Sequence, residues 1–159
     1  MLSALGLKGK FRVIKTDSKT GKVLYKSPFY KNLIVDGTNT GFNLILDRLN
    51  SDNTYSLNIT HLDIGDNNTA PALSDTTLVN ALYRTTKTTG SVAGSSLTLR
   101  FFFADGDLAD DTYYEVGMFV DGTSSVDTGK LFCRSIFGSA YTKATGEDTT
   151  IEWVLSKVT

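Results

Sequence analysis

Four carboxylates crowd into the run Ala104-Asp105-Gly106-Asp107-Leu108-Ala109-Asp110-Asp111. Oxygen-rich clusters of this kind can hold calcium, a hard cation. The spacing lacks the EF-hand's further Asp or Asn before a Gly and its distal Glu. Asp and Gly are also the residues that tolerate turn geometry, so the run reads as a solvated loop between strands, with no metal site. The pairs Asp63/Asp66 and Asp105/Asp107 raise the question of glycoside hydrolysis, which needs two carboxyl groups facing each other across a cleft. Closeness in sequence does not establish that arrangement. His61 is the single histidine and Cys133 the single cysteine, too little material for a metal ligand set or a nucleophilic triad. His61 reads as a structural or surface residue in a strand. Cys133 cannot form an intramolecular disulfide and reads as a small hydrophobe. Its neighbour Arg134 points to the opposite face of a strand, away from the thiol. The residues therefore predict no catalytic residue, no cofactor and no enzyme.

Tyrosine is the remaining source of recognition chemistry. Tyr113 and Tyr114 are adjacent, so one faces outward in a strand, and Tyr25, Tyr30 and Tyr141 could join it. An outward tyrosine row stacks on sugars or packs against a neighbouring subunit; a sheet-forming tyrosine without ligand is the plainer reading.

The elements that would position these residues are mostly strands. Leu97, Leu99, Phe101 and Phe103 alternate with Thr98, Arg100 and Phe102, and Ile151, Trp153 and Leu155 alternate with Glu152 and Val154. Period-two alternation marks half-buried strands. Gly9 to Thr16, Val23 to Lys26, Asn32 to Asp36, Arg84 to Val92, Tyr113 to Val120 and Lys130 to Phe137 read the same way. Thr60, Leu62 and Ile64 form another inward-facing set. One segment is helical in pattern: Phe42, Ile45, Leu46 and Leu49 fall on one face, with Thr38 or Thr40 as N-cap and Arg48 near the end where a cation suits the dipole. About eight strands with evenly spaced turns predict a mainly β fold, an antiparallel β-sandwich or jelly-roll-like barrel with one short amphipathic helix. The 159 residues read as one domain.

Composition narrows function by exclusion. Sixteen Lys and Arg against seventeen Asp and Glu give a net charge of −1, without the basic excess that nucleic-acid binding uses. No apolar stretch is long enough to span a bilayer. The start, Met1-Leu2-Ser3-Ala4-Leu5-Gly6-Leu7, has its lysines after the apolar run rather than before it, unlike a signal peptide.

Beyond these features, Ile59-Thr60-His61-Leu62-Asp63-Ile64-Gly65 followed by Thr69-Ala70-Pro71, Ser74-Asp75-Thr76-Thr77-Leu78 and then Arg84 resembles a pattern in small structural proteins of tailed bacteriophages. Asn32-Leu33-Ile34-Val35, Gly37 and the apolar helix resemble the entry segment of those proteins. Glu115-Val116-Gly117-Met118-Phe119, with Leu131-Phe132-Cys133-Arg134 downstream, is similar to their Glu-x-Gly-Leu-Phe and Leu-x-x-Arg pair. Asn80 stands where such proteins usually have Glu.

The resemblance covers roughly residues 32 to 137 and implies a non-enzymatic virion component. The leading expectation is a capsid decoration (cement) protein on the shell surface. The alternative is a tail, baseplate or fibre component with carbohydrate (receptor) binding. Implied partners are the major capsid protein or tail proteins and further copies of the chain as a homo-oligomer, a trimer among the options, with no nucleic acid and no membrane. The implied location is the virion, assembled in the host cytoplasm. Residues 1–8 are a candidate docking arm. The contact residues expected are Leu2, Leu5 and Leu7 in that arm and Pro71, Ala72 and Leu73 in the long loop. Arg84 and Glu115 are expected to form a structural ion pair.

Overall fold

A computed structural model describes residues 6–158. Ten strands and one α-helix follow in the order β1 (Leu7–Asp17), β2 (Val23–Lys26), β3 (Tyr30–Lys31), β4 (Leu33–Ile34), α1 (Gly41–Leu49), β5 (Ile59–Gly65), β6 (Ala81–Ala93), β7 (Ser96–Phe103), β8 (Thr112–Val120), β9 (Lys130–Thr142) and β10 (Glu147–Lys157). The fold is mainly β, a single antiparallel sheet curled into a half-barrel, with strand order β2-β1-β10-β7-β6-β5-β8-β9-β4 and β3 beside β1. A 3₁₀ turn over Asp105–Asp107 interrupts the β7–β8 connection.

Two features make the curl. The strand β6 pairs β5 through residues 81–86 and β7 through residues 87–93, with a bulge between Lys87 and Thr89 where the partner changes. A bulge bends its strand and sharpens the local twist. At the other end of the sheet, β3 pairs β1 while β4, one residue later, pairs β9. Residues 30–34 thus touch both edges of the curl, and Ser135 Oγ donates to Lys31 O at 2.7 Å across this seam.

The alternating runs face as their periodicity requires. Leu99, Phe101 and Phe103 from β7 and Ile151, Trp153 and Leu155 from β10 are buried in the core, with Phe102 outward. Phe11 stacks on Trp153 at 5.0 Å between ring centroids and meets Phe137 edge-on at 5.4 Å. Cys133 lies among these apolar side chains; burial raises the pKa of its thiol and so opposes the reactive thiolate.

Two expectations change in detail. In β5 the inward set is Ile59, Leu62 and Ile64. A register shift between Ile59 and His61 resets the phase and leaves Thr60 at the bulge, where its Oγ1 accepts from Gly122 N at 2.9 Å. In α1 the apolar face is rotated. Leu44 is 2% exposed, whereas Leu46 is 47% and Leu49 75% exposed. The cause is Gly41, whose φ is +41° and whose Cα packs so closely that a Cβ would stand 1.8 Å from Val35 O. Only glycine permits that approach, and it turns the helix to bury Leu44. Thr40 sits at the N-cap, but its hydroxyl donates to Gly37 O at 2.8 Å instead of capping the helix.

Leu7, assigned to an arm by sequence, is the first residue of β1 and pairs with Lys157, as Lys8 pairs with Ser156. Leu2 and Leu5 lie outside the described residues.

Candidate interaction surface

The convex face of β6, β5, β8 and β9 carries ionisable residues that alternation points away from the core, and two long connections fold back over them. Residues 66–80 and 121–129 form this second layer. A small apolar cluster of Val35, Leu78, Phe119 and Leu131 is buried beneath it. Gly117 makes room for the layer, since a Cβ there would lie 2.6 Å from Leu78 Cδ1.

Two buried arginines clamp the connections. Arg134, on β9, donates from Nε and Nη2 to Glu115 Oε2 at 3.0 and 2.8 Å, from Nη1 to Asp75 Oδ2 at 2.8 Å and from Nη2 to Thr69 O at 2.8 Å. Glu115 also accepts from Val79 N at 3.0 Å and Asn80 N at 2.7 Å. One ion pair therefore holds residues 69, 75, 79 and 80. Arg84, on β6, pairs with Asp63 directly opposite it on β5. Its Nη1 also donates to Thr123 O at 2.9 Å and to Thr128 O at 3.0 Å, and its guanidinium lies 4.7 Å from the Phe119 ring centre. Asp63 accepts further from Asp127 N at 2.8 Å. Asp127 in turn accepts from Leu78 N at 3.3 Å, joining the two connections. Arg84 and Glu115 are thus not partners of each other, contrary to expectation. Cross-strand register decides this: Asp63 lies opposite Arg84, and Glu115 lies beside Arg134 on the neighbouring strand pair.

The residues picked out by resemblance meet in this device. Asp75, Leu78, Arg84, Glu115, Gly117, Phe119, Leu131 and Arg134 form its ion pairs, clearance and apolar filling. Asn80 keeps a related place, its side chain donating to Asp66 Oδ1 at 2.6 Å. The surface displayed on top includes half-buried Pro71 and exposed Ala72 and Leu73, the loop residues expected at a contact. Leu73 O accepts from Asp36 N at 3.0 Å, fixing that stretch to the segment before α1.

Elsewhere the polar constellations are occupied internally. In the Asp105–Asp111 run, Asp105 and Asp110 receive the Lys143 ammonium at 2.6 and 2.8 Å. Hydrogen bonds from that ammonium hold both carboxyls below the ordinary carboxylate range. Asp63 and Asp66 do not face each other across a cleft: Asp63 is buried under Arg84, and Asp66 meets Asn80. His61 lies beside Thr60 Oγ1 at 2.8 Å, and burial, followed by the charge of Arg84, lowers its pKa. Tyr113 and Tyr141 belong to the core, Tyr141 giving or taking a 2.6 Å hydrogen bond with Thr149 Oγ1. Of the tyrosines considered for an outward row, Tyr25 alone is exposed. An apolar hollow of about 420 Å³ beside α1, lined by Leu7, Ile45, Leu57, Leu97, Phe132 and Leu155, carries no ionisable side chain.

No protein-family model, curated protein or solved structure matches the chain. Neither signal identified by composition nor periodicity marks the two clamps. Their acceptors lie 19 to 65 residues from each arginine: cross-strand register supplies Asp63 and Glu115, and the folded-back connections supply Thr69, Asp75, Thr123 and Thr128.

Proposed function

We propose that the chain is a non-enzymatic structural protein of a tailed-phage virion, a capsid decoration protein that binds the shell surface. The observation that carries this reading is the pair of buried arginine clamps. Long connections ordinarily cost conformational entropy on being fixed by a partner. Here Arg134–Glu115 and Arg84–Asp63 fix residues 66–80 and 121–129 beforehand, so a repeated contact through Pro71, Ala72 and Leu73 would form on a rigid surface. Replacing a buried ion pair by apolar packing is often neutral or stabilising, so in this proposal the two pairs serve to set the geometry of the connections. In the same proposal, the curl is a sandwich-like barrel whose seam is residues 30–34.

The resemblance of residues 32 to 137 to phage structural proteins supplies the identity of the scaffold. The sugar-binding alternative is not favoured, because Tyr113 and Tyr141 are core residues. Quantitative mass spectrometry of purified particles tests the proposal. Copies in the hundreds are expected for shell decoration; about six to twenty would move the chain to a tail or neck ring. Absence from particles would overturn the virion reading.

A further inference from the structure

Charge along this chain is segregated in a way its net value conceals. Residues 1–31 hold eight Lys and Arg against one Asp, a local charge of +7; the other 128 residues sum to −8. The basic part folds into one place, the edge of the sheet made by β1, β2 and β3. Among the described residues, Lys8, Lys10, Lys19, Lys22, Lys26 and Lys31 have no carboxylate at ion-pair distance, whereas Arg12 and Lys15 do. Lys10 and Lys31 are direct cross-strand partners, an arrangement of like charges that weakens a sheet.

The same edge is apolar and open. All four side chains of β2 are exposed, and among the described residues β2 ends the strand order with no neighbour on its outer side. Val23, Leu24, Tyr25 and Phe29 are all exposed; alternation puts Leu24 on the face of Lys22 and Lys26, and Val23 and Tyr25 on the other. Lys10 and Arg12 stand over the Phe29 ring at 4.4 and 4.6 Å. A free, apolar strand edge is a template for pairing with another chain. Antiparallel pairing of β2 with β2 of a second copy about a two-fold axis would set the lysines at 22 and 26 of one copy against those of the other. The occupant must therefore be acidic, and this chain's own surface supplies that sign. On the connection between β7 and β8, Asp107 and Asp111 are exposed and, among the described residues, have no cation at ion-pair distance. The other two carboxylates of that loop, Asp105 and Asp110, are already taken by Lys143.

We propose that the β1–β2–β3 edge of one copy docks head to tail on the acidic β7–β8 connection of a second copy. Such a heterologous contact uses two different surfaces of the same chain, so it repeats into a ring or a row. The lysines give the contact its sign and orientation, while exposed Leu24 and Phe29 give it apolar area. This inference rests on the structural reading only for the usefulness of repeated contact. Presence in particles and self-association of purified protein are separate observations, so either can fail alone.

Sedimentation velocity of the full chain at about 20 mM and about 500 mM salt tests it, because exposed charge pairs are screened over that range. The native protein is expected to associate at low salt and to weaken about tenfold or more at high salt. Lys22→Glu/Lys26→Glu and Asp107→Lys/Asp111→Lys are each expected to remain monomeric, and an equimolar mixture of the two is expected to associate. Thermal melting of each variant confirms its fold. A native monomer at low salt, association that survives either reversal, or a mixture that stays monomeric would each overturn the proposal. Duplex DNA binding by a monomeric native protein, lost in the lysine variant, would overturn it in favour of a polyanion.

Discussion

The Arg134 guanidinium is wholly buried, and its four hydrogen bonds end on Glu115, Asp75 and Thr69. Removing one partner of such a pair leaves the other charge stranded in a low dielectric, which costs about 3–5 kcal/mol. Arg134→Met is therefore expected to lower the urea unfolding free energy by about that amount, and Arg134→Met/Glu115→Gln to recover part of it. Hydrogen exchange should show residues 69–80 losing protection in the single variant before the sheet does. The ion ladder of Arg12, Glu152 and Arg100 across β1, β10 and β7 makes a different, pH-dependent prediction. Burial pushes Glu152 upward, but hydrogen bonds from Arg100 and Arg12 outweigh it and hold the carboxyl below its ordinary value. A carboxyl lowered on folding stabilises the fold above its unfolded pKa and loses that contribution as pH falls through the folded value. The stability gap between the native protein and Glu152→Gln should be widest near neutrality. It should close as urea titrations descend from the ordinary carboxylate range to about pH 3. Neither network could be read from residue types. Asp63 and Arg84 are 21 positions apart, Glu115 and Arg134 19, and a sequence read without register pairs Arg84 with the wrong acid.

At the scale of elements, α1 separates pattern from packing. Periodicity groups Phe42, Ile45, Leu46 and Leu49, yet Gly41 presses the first turn against Val35 and Phe132 and turns Leu44 inward. Leu44→Ala is expected to cost about 2–5 kcal/mol, the range for truncating a buried leucine. Leu49→Ala should stay within about 0.5 kcal/mol of the native protein, as exposed sites do. A larger loss for Leu49→Ala than for Leu44→Ala in chemical denaturation would mean the face predicted from period is the buried one. Gly41→Ala is expected to exceed 1 kcal/mol, because it meets both a positive φ and a backbone oxygen. The strands were far more legible than the helix. In β7 and β10, side chains alternate between a dry and a wet face, which writes the period into composition. A bulge such as the one at Thr60 leaves no such mark, since one extra residue shifts the phase without changing residue types. The second layer of connections was invisible for the same reason as its clamps: Leu78 is the one apolar side chain it buries, and its order comes from bonds to distant strands.

For the whole molecule, the governing fact is that the first and last strands lie side by side. β1 and β10 share an eleven-pair ladder from Leu7–Lys157 to Asp17–Glu147. β10 sits between β1 and β7 and brings Ile151, Trp153 and Leu155 into the core. Closing a loop of about 140 residues before that ladder can form is entropically slow. Joining the termini through a short flexible linker and opening the chain in the exposed stretch 50–54, which divides no hairpin, converts the ladder into a local hairpin-like contact. The loop-closure saving is about 2 kcal/mol, so this permutant is expected to refold about tenfold or more faster if the ladder is present in the transition state. Trp153 is fully buried and stacked on Phe11, which makes its emission the natural stopped-flow signal. Unfolding rates should change little, because the contacts of the folded state are the same in both connectivities. A permutant that refolds at the native rate would instead place the β1–β10 ladder after the barrier. The transition state would then belong to the β5–β8–β9 half of the curl, where the arginine clamps close.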